Sequence, residues 1–273
     1  MNKLRGGVRN LIRPKRAPRD AAKLVGFRGA QVVCEESNKL EAKLLDDPAS
    51  YDKKNFAAVE TLVQPGAICM DIGANIGIYS AVLSRLVGPT GHVHAFEPVR
   101  HIRRKLRTNL AFNGARNVTV NDFALGDVPG SLEMFQVKEG QFRAGTSTLV
   151  RNNNVETMGE DAFERQTVEV RTVDTYGLDR VDFMKIDVEG FEFNVLKGAV
   201  ETLRKHRPAI LFEHDQGRLE GLAGDERQFA ELLGGLGYSC FELDLSDDEV
   251  WVTPFNFDSR LRTNNLIALN VND

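Results

Sequence analysis

The sequence predicts an α/β fold, with a single mixed, mostly parallel sheet and helices on both faces. Short apolar runs of strand length alternate with segments whose apolar residues recur at helical spacing. Most of the unusual polar residues follow directly on those runs, at the strand ends where open sheets bind ligands. The last two strands follow one another without a helix between them, which indicates an edge hairpin. A chain of 273 residues, 42% apolar and with 24 glycines, can bury one substantial core.

Taken in order, residues 31–64 offer a Val-rich strand, QVVCEE, and an amphipathic segment around FAAVETLV that ends at Pro65 and Gly66. The first core strand is expected over 67–71. A helix follows from about Ile76 to Val87, with Tyr79, Val82, Leu83 and Leu86 on one face, and Gly88, Pro89 and Gly91 stop it. HVHAFEP supplies the second strand. The next helix runs from Val99 to about Phe112, with Ile102, Leu106 and Leu110 inward and Arg103, Arg104, Lys105 and Arg107 on a solvated face. NVTVND is a third strand, and SLEMFQV is a strand of edge type. The stretch 141–166 reads as a partly ordered loop over the site, and TVEVRTV as another strand. A fourth core strand spans 181–187, one helix spans 191–206, and AILFEHD is a further strand. FAELLGGLGY forms a helix and turn, and CFELDL and NLIALNV close the sheet around an acidic turn and an aromatic loop.

Charge is unevenly distributed. Residues 1–28 hold nine Lys or Arg and a single acid, Asp20, while the rest of the chain is acidic and the whole carries a formal charge of -4. The expected organisation is a basic arm over 1–30, for which partial disorder is one reading, and a single domain over 31–273. Within it, 31–64 form cap elements and about 130–172 form an insertion on the substrate side. The arm leaves nucleic acid open as a partner, although the acidic body argues against it. Cys34, Cys69 and Cys240 have no paired spacing for zinc or a redox motif. No transmembrane segment and no apolar leader is read, so a cytoplasmic location is expected.

The most informative run is ICMDIGANIG, residues 68–77, where a strand hands over to a helix through a glycine turn. Gly73 and Gly77 flank Asn75, a spacing that lacks the GxGxxG fingerprint of dinucleotide sites. Asp71 ahead of the glycines would repel a pyrophosphate and suits a ligand with a cationic end, such as S-adenosylmethionine. Glu97, 26 positions further on and followed by Pro98, lies at the tip of the second strand and can accept both hydroxyls of a ribose. The other strand ends carry Asn121 or Asp122, Asp187, and Glu213 with His214. His214 is the leading candidate base for a hydroxyl acceptor, with Glu213 or Asp215 to orient it. The alternative is a surface histidine at a strand terminus. Asp187, Glu189 and Glu213 could together hold a divalent cation, but no clean metal pattern predicts one.

Four runs, MDIGANIGIYS, VHAFEPV, VTVNDFALGD and above all FMKIDVEGFEFNVLKGA, resemble in order the FkbM-type S-adenosylmethionine-dependent methyltransferases over about residues 60–215. The resemblance implies a class I methyltransferase, Rossmann-like fold with a seven-stranded sheet. It implies cofactor contacts at Asp71, Gly73, Asn75, Gly77, Glu97 and Asp187, and adenine-side contacts near Asp122 and Phe123. It also implies O-methylation of a small molecule such as a sugar or polyketide; the strand-end residues Asp187, Glu213 and His214 are the catalytic candidates. Methylation of RNA or protein, a non-catalytic nucleoside-binding scaffold, and a homodimer stay open.

Overall fold

The computed structural model describes residues 22–36, 38–137, 147–148, 163–214, 226–262 and 264–271. Residues 1–21 of the basic arm and most of the 141–166 loop therefore lie outside the described residues. The end of the arm does not, and it is strand β1 (Lys23–Phe27), paired antiparallel with β2 (Ala30–Cys34). Arg28 and Gly29 both have positive φ, 47° and 76°, as a two-residue hairpin turn with the twist of its strands requires. Two helices follow, α1 (Lys39–Asp46) and α2 (Lys53–Leu62), and α2 buries Phe56, Ala58 and Val59.

The core then alternates strand and helix through β3 (Ile68–Ile72), α3 (Ile78–Val87), β4 (His92–Phe96), α4 (Arg100–Phe112) and β5 (Val118–Asn121). A second sheet interrupts this alternation. It comprises β6 (Ala124–Leu125), β7 (Gly130–Val137), β8 (Ser147–Thr148) and β9 (Phe163–Arg171), in the order β6-β9-β7-β8. The chain returns through α5 (Val173–Tyr176), β10 (Phe183–Ile186), α6 (Glu192–Lys197), α7 (Val200–His206) and β11 (Ala209–Glu213). It ends with α8 (Glu226–Gly235), β12 (Tyr238–Ser246), β13 (Glu249–Pro254) and β14 (Asn265–Asn270).

The main sheet has eight strands in the order β13-β12-β14-β11-β10-β3-β4-β5, with β11 through β5 parallel and the other three antiparallel. This is the α/β Rossmann-like architecture of the class I methyltransferases. The seven-stranded expectation is corrected by β13, which occupies the first part of the predicted aromatic loop. The predicted helix over 191–206 is likewise two helices. They divide at Gly198, where a Cβ would lie 1.9 Å from the Gly126 carbonyl oxygen.

Strand β10 is buried along its whole length, as a parallel strand covered on both faces must be. Alternate residues serve opposite layers. Met70, Ile72, Met184, Ile186 and Phe212 pack with Leu196, Leu203 and Phe229, while Cys69, Phe183 and Leu211 pack with Val59, Leu83 and Val87. From β3 the chain winds outward through β4 and β5, whereas β10 and β11 lie on the other side. The carboxyl ends of β3 and β10 thus mark the switch point, where such sheets open a crevice. No helix among the described residues is long and apolar enough to cross a membrane.

Candidate functional site

Strand β3 ends in the glycine turn, and the turn is pinned on its β4 side. The backbone N–H groups of Gly73 and Ala74 both donate to the Phe96 carbonyl, at 3.1 and 2.9 Å. Gly73 has φ +80°, and a Cβ there would lie 1.9 Å from the Asp187 carbonyl oxygen, so no other residue lets the turn pass so close to the end of β10. Asn75 is also left-handed, with φ 51°. Gly77 is left-handed as well, at φ +87°, and a Cβ on it would also meet Leu106 of α4 at 2.4 Å.

Glu97 follows β4 and is almost fully buried. Its carboxylate accepts the N–H of Asn75 at 3.0 Å and that of Val99 at 2.8 Å. Burial nevertheless pushes its pKa up to about 7. Gly73, Asn75, Glu97, Pro98, Met134 and Asp187 line a cleft beyond the strand ends. A larger cleft adjoins it and is lined in part by Asp46, Tyr51, Asp52, Tyr79, Lys185, Glu213 and Asn264. The two share Asn75 and Asp187.

Asp71 lines neither cleft. It lies beneath them, fully buried, with Oδ2 accepting from Ser80 Oγ at 2.5 Å and Oδ1 lying 3.8 Å from Lys185 Nζ. Burial raises the Asp71 pKa, opposed by Lys185 and Ser80. Burial lowers the pKa of Lys185, but Asp187 and Asp71 outweigh it and hold the ammonium above its ordinary pKa. Asp52 is held above the ordinary carboxylate range by burial, although the Tyr79 hydroxyl and Asn55 amide both donate to it.

The structure separates the other sequence-predicted residues. Asp187 and Glu213 line the larger cleft. His214 does not, because its buried ring packs against Phe229 and Phe257, at 4.7 and 5.4 Å, and its Nε2 lies 2.7 Å from Glu226 Oε2. Asp215 lies outside the described residues. Asp122 is exposed and sits 3.9 Å from Arg103, while Phe123 is buried against Phe96 and lies under the Arg171 guanidinium. Their neighbours Ala124 and Leu125 line the smaller cleft in their place. In the carboxylate cluster, Glu189 gives way to Glu192, whose oxygens lie within 4.8 Å of those of Asp187 and Glu213. Glu192 accepts the N–H groups of Val188 and Gly190, a role that explains its position without an ion.

Sequence reasoning passed over Asp52, Tyr79 and Asn264 as site residues. Asp52 and Tyr79 are 27 residues apart and meet only through tertiary packing, so no local spacing could signal them.

The model of the methyltransferase FkbM domain matches residues 71–240, more than half of the chain. Among curated proteins, the AMB antimetabolite synthetase AmbE of Pseudomonas aeruginosa is 28% identical over 218 residues, which is 68% of this chain and 10% of AmbE. Methyltransferase sdnD of Sordaria araneosa is 32% identical over 159 residues, 48% of this chain and 60% of sdnD. The chain thus spans a tenth of the first and three-fifths of the second. The 2-O-methyltransferase NoeI of Sinorhizobium fredii is 27% identical over 184 residues, 64% of this chain and 74% of NoeI. The domain match begins at Asp71 and takes in the glycine turn, Glu97 and the KIDVEG run that frame the smaller cleft. The chain belongs to the methyltransferase FkbM domain family.

Proposed function

We propose that the protein methylates a hydroxyl of a small, uncharged or cationic molecule of the sugar or polyketide kind. The observation that carries this reading is the pair of clefts that meet at Asn75 and Asp187. The smaller one fits the donor. Gly73 lets the turn close against the end of β10, Glu97 offers a carboxylate to ribose hydroxyls, and Pro98, Ile102 and Met134 give apolar surface for a base. When bound, S-adenosylmethionine supplies an electrophilic methyl group.

The larger cleft takes the acceptor. Asp46, Asp52, Asp187 and Glu213 on its wall are hydrogen-bond acceptors suited to hydroxyl groups, and they disfavour a phosphate backbone. Asp187 sits in the shared wall, where a carboxylate can take the proton of the acceptor hydroxyl. Glu213 can orient that hydroxyl. His214, enclosed by phenylalanine rings, is left a structural role. The α1–α2 segment supplies Asp46, Tyr51 and Asp52, consistent with a cap over the acceptor, and β7 of the second sheet supplies Met134 to the donor side. The name of NoeI, a 2-O-methyltransferase, agrees with an oxygen acceptor.

The test is to incubate the protein with methyl-labelled S-adenosylmethionine and extracts of the source cells, then to locate the label by mass analysis. Label on the oxygen of a small molecule is expected. Label on nitrogen, or on RNA or protein, would overturn the reading.

A further inference from the structure

The ammonium of Lys185 is surrounded by oxygens from three elements. Its Nζ lies 3.2 Å from Asp187 Oδ2, 3.3 Å from the Gly73 carbonyl oxygen and 3.8 Å from Asp71 Oδ1, and 4.9 Å from the Tyr79 ring centroid. The β3–β10 register sets Lys185 directly beside Asp71, so a simple buried ion pair was available to it. The ammonium instead leans toward Gly73 and Asp187. Both of those residues line the smaller cleft and Asp71 does not, while Lys185 itself and Asp187 line the larger one. The other Asp71 oxygen is taken by Ser80.

The consequence for the glycine turn is a two-sided clamp. From the β4 side, the Phe96 carbonyl holds the N–H groups of Gly73 and Ala74. From the β10 side, Lys185 holds the carbonyl of the peptide that joins the same two residues. The same ammonium restrains the Asp187 carboxylate in the wall between the clefts.

We propose that Lys185 is a positioning residue of the cofactor cleft, fixing the Gly73 carbonyl and the Asp187 carboxylate rather than serving only to neutralise Asp71. The proposal rests on the assignment of the smaller cleft to the donor. A neutralising role alone predicts that removing both charges together restores everything, because a buried pair can be exchanged for uncharged groups at little cost. A positioning role predicts that fold and binding come apart.

The experiment compares the full chain with K185M/D71N and K185R, measuring thermal unfolding and calorimetric affinity for S-adenosylhomocysteine. In K185M/D71N the melting temperature should stay near that of the parent while affinity falls roughly tenfold or more, the size expected for losing a charged hydrogen bond. K185R keeps the charge, but a planar fork cannot reproduce a point ammonium between these oxygens, so affinity should fall with stability held. Parent-like affinity in the variants would overturn the proposal, and so would loss of fold in both, since the role would then be structural. Failure of the parent to bind, or binding that survives Glu97→Ala, would instead remove the cleft assignment itself.

Discussion

Glu97 keeps its carboxylate on two backbone N–H groups, yet burial holds its pKa near 7. A ribose donates hydroxyl protons, so the ionised form is the better partner, and only part of the protein is in that form at neutral pH. Affinity for S-adenosylhomocysteine should therefore rise by up to about tenfold between pH 6 and pH 8, and Glu97→Gln should flatten the dependence. Calorimetric titration across that range checks it, and a parallel rise in the Gln variant would assign the titration elsewhere. At this scale the sequence revealed which acids stand at strand ends, but not which way each one faces. Asp71 and Lys185 are neighbours on buried strands, yet Asp71 stays beneath the clefts while Lys185 reaches the lining of the larger one, and His214 turns into a cage of rings contributed by α8 and by the segment after β13. Those orientations depend on neighbours far away in the chain.

Helices α6 and α7 show how one close approach divides an element. Gly198 has an ordinary φ of -79°, so its need for glycine is steric and not conformational. Gly198→Ala would drive a methyl group to 1.9 Å from the Gly126 carbonyl oxygen. The expected cost is about 2–4 kcal/mol, measured as a shift in urea unfolding. The helical period of Phe191, Val195, Leu196, Val200 and Leu203 continues across that break, so periodicity alone predicted one helix. Strand β13 escaped notice for a different reason. It is exposed at nearly every position, and its hairpin turns on Asp247 and Asp248, both left-handed at φ 51° and 63°, where the recognisable turn residues would include glycine. The core strands and the helices between them were legible because burial on both faces leaves continuous apolar runs. Helix α1 spans only eight residues, half of them charged, which is too short to announce a period.

Across the whole molecule, two buried acids tie stability to pH. Glu97 and Glu192 are each raised to about 7 by burial, above the ordinary value of 4.5. A raised carboxyl pKa means that the folded state holds protons more tightly than the unfolded chain. The stability it lends is complete below about 4.5 and is lost as pH rises through about 7. The melting temperature of the ligand-free protein should therefore fall from pH 6 to pH 8. Scanning calorimetry on the parent and on Glu97→Gln should show a smaller fall in the variant, and an unchanged slope would exclude Glu97 as a source. The shared wall of Asn75 and Asp187 has a kinetic consequence. With donor and acceptor assigned to the two clefts as proposed, neither reactant has to pass through the other's doorway, so entry and departure need follow no fixed order. Spent donor should then compete with fresh donor for its own compartment and lower the maximal rate seen by the acceptor without being displaced by it.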